Sequence, residues 1–458
     1  MNLEIIEQIN GKINNFIWGP VMLVLLVGTG IFLTLRISFF QVSHIKLWMK
    51  GTFGLIFKKH TADENITPFQ AVSTALASTV GTGNIVGVTT AIVSGGAGAL
   101  FWMWFAAFFG MVTKYSEVLL SVKYREKDFS GKHFGGPMYY LTKGANLHWL
   151  GIIFAILSTL ACFGIGNLTQ INAMANVVKQ NFNIPTIYTG IAVTIVVGIV
   201  IVGGIKRVGA FAEKCVPIMC VFYIIVGLII IFLNFDKIPS IFNLIFSEAF
   251  SFKQVGAGFM GYTITIGMRY GFARGIFSNE AGMGSAPMAH ASSNNNNPVG
   301  QGLWGIFEVF VDTFLVCSIT GIVAIMNLDL MKEGLNGAPF ISEAFRISFP
   351  GNFGSIGLAI ALFLFAFTTL VGWSHYGVVS LGYLTNNNKI GEFIFKIIFL
   401  IVIIIGSVSE LQLVWNIADT LNGLMAIPNL IGLLILSPIV AKTTKEYLKN
   451  PSSVEMKD

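Results

Sequence analysis

The chain has 458 residues, of which 54% are hydrophobic and only 11% charged, under half the roughly 25% charge of a soluble domain. So much apolar side chain excludes a water-soluble globule, since no single core could hide it, whereas bilayer hydrocarbon accepts it. The net charge of +6 excludes a nucleic-acid surface, because the basic residues fall between apolar segments and not in one patch, a distribution that reports membrane topology.

From the N-terminus, Met1 to Asn15 carries Glu4 and Glu7 where a signal peptide would be basic, so no cleaved leader is expected. A spanning helix needs about 20 largely apolar residues. About eleven segments qualify: 16–40, 68–95, 98–122, 148–177, 185–204, 212–234, 255–278, 300–327, 354–384, 391–409 and 412–440. Apolar runs that recur with only short polar breaks make one bundle, an all-α membrane protein of about 11 transmembrane helices. Cys162, Cys215, Cys220 and Cys317 all fall in apolar stretches, without a CxxC pair or zinc spacing, and read as small buried side chains.

Basic residues crowd alternate connections. One side holds Lys46, Lys50, Lys58 and Lys59, then Lys123, Arg125, Lys127, Lys132 and Lys143, then Lys206, Arg207 and Lys214, and in the tail Lys442, Lys445, Lys449 and Lys457. The other holds Lys12, Lys179, Lys237, Lys253, Lys332 and Arg346. The excess places the N-terminus outside and the C-terminus in the cytoplasm, and an odd number of spans fits those ends.

Two segments are poor continuous helices. The second runs Ser78-Thr79-Val80-Gly81-Thr82-Gly83-Asn84-Ile85-Val86-Gly87, and the seventh, which holds Arg269 and Arg274, continues as Gly275-Ile276-Phe277-Ser278-Asn279-Glu280-Ala281-Gly282-Met283-Gly284-Ser285-Ala286-Pro287. Glycine costs about 1 kcal/mol against alanine in a helix and proline about 3. Freed backbone groups at membrane depth must line protein or a water cavity. The breaks stand five segments apart, so residues 68–250 and 251–440 form two halves of opposite direction. They follow an extra N-terminal helix and its cytoplasmic loop (1–67) and precede a cytoplasmic tail (441–458). Paired breaks in inverted halves point to a transporter binding site. Gly95, Gly96 and Gly98 read as a turn. The pattern around Gly81 is no phosphate loop, for it lacks Gly-Lys-Ser/Thr and any βαβ context.

A broken helix offers free N–H groups to a carboxylate and free carbonyls to an ammonium or a sodium ion. A zwitterionic amino acid with Na⁺ matches both ends without a full protein charge, which at mid-bilayer costs at least about 3 kcal/mol. The fourth segment carries Gly164-Ile165-Gly166-Asn167-Leu168-Thr169-Gln170, where Gln170 either meets substrate or, like Asn167, bonds between helices. The ninth carries Thr368-Thr369 and, one turn on, Trp373; the hydroxyls either ligate or bond back to their own helix. Phe277 and Trp373 either pack or, facing the cavity, restrict it to a small side chain.

The blocks Pro68-Phe69-Gln70-Ala71, Gly81-Thr82-Gly83-Asn84-Ile85, Gly135-Gly136-Pro137-Met138-Tyr139-Tyr140, Arg274-Gly275-Ile276-Phe277-Ser278-Asn279-Glu280-Ala281-Gly282 and Gly372-Trp373 resemble the alanine or glycine:cation symporter family over most of the chain. The resemblance implies a LeuT-type fold, a 5+5 inverted repeat with an extra first helix. It also implies sodium-driven uptake of alanine or glycine across a prokaryotic plasma membrane, with sodium as transported coupling ion and no nucleic-acid or obligate protein partner. By motif it points to Gly83, Asn84, Gln170, Phe277, Thr369 and Trp373 around substrate. By fold analogy it points to the Val80 carbonyl, Thr368 and Thr369 for sodium.

Glu117, Glu213, Arg269, Arg274, Glu280, Glu308, Asp312 and Asp419 lie in or beside apolar runs and are functional candidates by cost alone. Arg274 and Glu280 flank the second break as a gate pair, and Asp312 is the place for a proton were the coupling ion H⁺. His375 reads as an interior hydrogen-bonder. A channel would need a filter or pore repeat, and an enzyme a constellation such as H-E-x-x-H or G-x-S-x-G; neither is present.

Overall fold

The computed structural model describes residues 10–14, 16–55, 65–128, 131–250, 256–349, 351 and 353–456. Glu4, Glu7, Lys58, Lys59, Lys253 and Lys457, weighed above, lie outside them. The main helices are α1 (Pro20–Arg36), α2 (Pro68–Thr79), α3 (Val88–Gly95), α4 (Gly98–Lys123), α5 (His148–Phe163), α6 (Thr169–Phe182), α7 (Thr186–Ile201) and α8 (Gly204–Leu233). They continue as α9 (Gly256–Asn279), α10 (Pro287–Ala291), α11 (Pro298–Val309), α12 (Ser318–Met326), α13 (Phe353–Thr385), α14 (Lys389–Val408) and α15 (Leu411–Lys449). The strands among the described residues form one small antiparallel ribbon, Glu126–Lys127 with His133–Phe134.

Every apolar segment read from the sequence is occupied by helix. Seven helical stretches among the described residues are long and apolar enough to cross a membrane by themselves, and α2 with α3, bent by 48°, makes an eighth. The other three differ for local reasons. α1 and α7 have only 17 and 16 residues, and α9 is diluted by Arg269, Arg274 and repeated glycines.

The connections sort to two ends of the bundle. At one end Ile66 exchanges backbone hydrogen bonds with Ser292 and Asn294. Asn65 accepts from the His133 N–H at 2.7 Å, Arg125 donates to the Ser293 carbonyl, and the tail's Met456 N–H reaches Asn296. The turn into α8 and the start of α14 share a cavity with Lys132 there. At the other end the Ala97 N–H bonds Glu248 and Asn234 bonds the Ser348 carbonyl. The connections after α6, α12 and α14 meet around one cavity there. Odd connections thus gather at one end and even ones at the other.

Sequence accounts for the decisive helix start. Pro68 occupies the first turn of α2, and Thr67 with Gln70 forms a reciprocal capping box, both bonds 3.1 Å. Gln70 also donates to Glu213 on α8 at 2.9 Å, which gives that intramembrane carboxylate its partner. Gly96, at φ +79°, turns α3 into α4 as the glycine run suggested. α4 packs against α9 and α11, α13 against α5, α6 and α8, and α7 against α14. The outer faces of α7, α8 and α14 present Ile195, Ile199, Ile218, Ile225, Phe232, Ile397, Ile401 and Ile405, surface that a bilayer and not water would cover. All four cysteines are free, and Cys162, Cys220 and Cys317 are buried.

Candidate functional site

α2 stops at Thr79 because Val80 turns to ψ 88°, after which Gly83–Gly87 forms a single wide π-turn leading into α3. The break is held by side chains that replace the lost helical bonds. The Gly81 N–H donates to its neighbour Asn84 Oδ1 at 2.9 Å, and the Thr82 N–H donates to Gln170 Oε1 at 3.1 Å. A methyl group on Gly81 would lie 2.6 Å from Thr369 Oγ1 and 3.0 Å from Gln170 Oε1. One on Gly83 would lie 3.1 Å from the Phe277 ring and 3.3 Å from Ser278 Cα. The break therefore touches α6, α9 and α13 at once, through the residues the sequence singled out. Gly81→Ala is expected to abolish transport in a protein that still folds, because the added methyl fits only if the Thr369 hydroxyl and the Gln170 amide leave their places at the break. Gly28→Ala, whose nearest neighbour would be 4.0 Å away, serves as the neutral control, and wild-type uptake by Gly81→Ala would refute this packing.

The amides divide. Gln170 bridges the break and a second π-turn, Gly164–Leu168, that leads into its own helix, donating to the Ile165 carbonyl at 2.8 Å, whereas Asn167 points away and bonds Phe399 on α14. The two threonines diverge as well. Thr369 Oγ1 donates to Ala77 in the last turn of α2 at 3.0 Å and to its own helix at Phe365. Thr368 lies against Met219 of α8 and also bonds back to Phe365. Ala77, which no side-chain pattern could have flagged, thus brings a carbonyl beside Thr369, and Val80 follows it at the same helix end. Trp373 is fully buried and donates to Glu280 Oε1 at 3.0 Å, while Gly166 leaves room for its ring. His375 meets Ser292 at 3.3 Å, an interior contact of the kind expected.

Asp312 finds partners that the sequence did not reveal. It sits in a third π-turn, Phe310–Cys317, and is fully buried. Its carboxylate accepts from Asn84 Nδ2 at 2.6 Å, from Ser278 Oγ at 3.0 and 3.1 Å and from Thr313 Oγ1 at 2.8 Å. π-turns concentrate at functional sites, and here one carries Asn84, one lies under Gln170 and one carries Asp312.

The second break is equally real. After α9, residues 280–286 are not helical, and Glu280, Gly282 and Gly284 take φ of +55°, +91° and +79°. Glu117 accepts from the Gly284 N–H at 3.0 Å and from Asn429 at 2.5 Å, and Asn429 donates also to the Gly282 carbonyl. Tyr140, from the Gly-Gly-Pro-Met-Tyr-Tyr block, caps Asn429. Both breaks face protein, as backbone at membrane depth requires.

The expected Arg274–Glu280 pair does not form. Glu280 lies just past the end of α9 at φ +55°, where the chain leaves the helix that carries Arg274. Glu280 turns to Trp373 and Ser285, whereas Arg274 makes a two-pronged bond to Asp419 of α15 at 2.7 and 2.9 Å. Its guanidinium lies 5.6 Å from the Phe277 ring and 5.0 Å from Trp415. This charged and aromatic cluster is centred one turn before Phe277 on α9. Towards the odd end lies a buried charge cluster: Lys114 Nζ and His290 Nε2 each contact Glu308 at 3.2 Å, all three fully buried.

A family model described as the sodium:alanine symporter family matches residues 3–457. The chain is 46% identical to the sodium/alanine symporter AgcS of Methanococcus maripaludis, covering 97% of this chain and 98% of that protein. It is 37% identical to the probable sodium/glutamine symporter GlnT of Bacillus subtilis, covering 97% and 91%. Among solved structures, a Na⁺-coupled sialic acid symporter in a substrate-bound outward-open state superposes with a TM-score of 0.52 at 12% identity, over 92% of this chain and 83% of that one.

Proposed function

Because the chain belongs to the sodium:alanine symporter family, a family of sodium-coupled membrane transporters with a LeuT-like fold and not of enzymes, we propose that it imports a small neutral amino acid, alanine or glycine, together with Na⁺ by alternating access. The observation that carries this reading is the pair of enclosed helix breaks joined through Asn84, Asp312 and Ser278. The N–H groups of Gly81 and Thr82, satisfied by Asn84 and Gln170, are where a substrate carboxylate would bind, taking over those bonds. Gly83 lets the ligand approach the backbone. Phe277 and Trp373 bound the side-chain end and favour a small substituent, and Thr369 stands on the far wall.

Sodium is cargo here, and hard oxygen ligands without a net charge suit it. The Ala77 and Val80 carbonyls at the end of α2, with the Thr369 hydroxyl already on Ala77, would supply such a set, which Thr368 joins only by turning from Met219. Arg274 is the gate residue of the even end through Asp419, and Glu280 that of the second break through Trp373. Eleven crossings, supported by the alternate sorting of connections, put the N-terminus outside and the C-terminus in the cytoplasm of a prokaryotic plasma membrane. In that arrangement residues 68–250 and 251–440 are the inverted halves, and no obligate protein partner is needed.

One observation favours a second reading. Asp312 is a buried carboxylate with no basic side chain in ion-pair contact among the described residues, a natural proton carrier. The experiment separates the two. Purified protein in proteoliposomes is offered labelled alanine, glycine and glutamine under an inward Na⁺ gradient or an inward proton gradient. Accumulation of alanine or glycine only with the Na⁺ gradient is expected. Uptake that follows the proton gradient and ignores Na⁺ would move coupling to Asp312, and no accumulation under either would refute symport of these substrates.

A further inference from the structure

At the even end a cavity of about 600 Å³ opens between the end of α6, the helix Gly337–Ser348 and the Ser409–Glu410 link into α15. Its floor includes Val86 and Ala173. Val86 follows Asn84 by two residues in the same π-turn, and Ala173 lies one turn beyond Gln170 on α6. The cavity therefore ends about one helical turn from two residues of the proposed substrate site. Asn84 and Gln170 themselves are buried beneath it.

The rim carries one cation and one anion, Lys179 and Glu410. Both are exposed, and neither side chain makes an ion pair or hydrogen bond among the described residues. The apolar part of the lining is Val86, Ala173, Ala338 and Pro339, and Asn176, Gln180, Asn183 and Ser409 complete it without adding charge. Two opposite, unpaired charges above an apolar floor have no net attraction for an ion of either sign. They do orient a molecule that carries both charges on one carbon and a small apolar substituent.

We propose that this cavity is a first binding station for the zwitterion, with Lys179 drawing the α-carboxylate, Glu410 the α-ammonium and the floor receiving the side chain. The proposal rests on the reading that the chain imports amino acids from the even end. Substrate then waits about one helical turn outside the buried Asn84 and Gln170 and moves inward when the packing between them and the cavity parts. Rim charges of this kind act on capture and on discrimination between partners more than on final affinity.

The test uses full-length protein in intact cells that lack other alanine uptake, with Na⁺-driven alanine uptake measured for wild type, Lys179→Ala, Glu410→Ala and Lys179→Glu. Equilibrium alanine binding to the purified variants is measured in parallel. Each neutralisation is expected to raise KM roughly three- to tenfold with Vmax and equilibrium Kd unchanged. In Lys179→Glu, external lysine should become a competitor of alanine that it is not in wild type. Wild-type KM in both neutral variants would overturn the station, and so would KM and Kd rising together, which would assign these residues to the inner site or to folding. Wild-type cells that take up no alanine would instead refute the transport reading, so the two failures are distinguishable.

Discussion

Asn84→Ala is expected to lower sodium-driven uptake by about one to two orders of magnitude while the protein still folds. Its side chain does two things at once: Oδ1 receives the Gly81 N–H at 2.9 Å, and Nδ2 donates to Asp312 at 2.6 Å. Alanine removes both and leaves a buried N–H and a buried carboxylate each short of a partner. The bond to Asp312 persists when substrate takes over the Gly81 N–H, and a hydrogen bond to a charged group contributes about 1.5–3 kcal/mol, which corresponds to roughly ten- to a hundredfold. The measurement is alanine uptake and alanine affinity in proteoliposomes, with the melting temperature as a fold check. Wild-type affinity in Asn84→Ala would show that its amide only shapes the backbone.

Lys114→Met should produce the largest loss of stability. Lys114, Glu308 and His290 are wholly buried, and the Glu308 carboxylate lies between the two nitrogens at 3.2 Å each. Removing one partner of a buried ion pair costs about 3–5 kcal/mol, because Glu308 then stays buried away from water with only His290 beside it. The variant is expected to melt far below wild type in detergent, and Lys114→Met with Glu308→Gln to recover much of that loss, since the orphaned charge is then gone. Melting temperatures of the single and double variants decide it. A single variant as stable as wild type would mean that the lysine is not held as the distances imply.

The two networks differ in how far the sequence foretold them. Asn84 was marked by the glycines around it, and Glu308 by its apolar surroundings. Lys114, inside the segment 98–122, carried the same mark as Glu117 but was not among the charges singled out, and His290 carried none, since its neighbour across the bundle is not legible in the sequence. Ser278 and Thr313 were likewise silent, being common helix residues whose hydroxyls matter only through Asp312. Of Asn167 and Gln170, three positions apart, only Gln170 was a substrate candidate, and the sequence left open that both merely brace helices. One turned out to brace α14 and the other the break.

The sequence by itself determined the elements and the places where they fail. Apolar length fixes a helix because lipid offers the backbone no other partner, and Val80-Gly81-Thr82-Gly83 and Glu280 to Pro287 interrupt helices because glycine and proline act on the backbone locally. Only the tertiary structure decided which charges and amides meet. Arg274 pairs with Asp419 across 145 positions, Lys114 with Glu308 across 194, and Asn84 with Asp312 across 228. Such pairings depend on the rotation and depth of each helix against its neighbours, and one residue of helix rotation turns a side chain by about 100°.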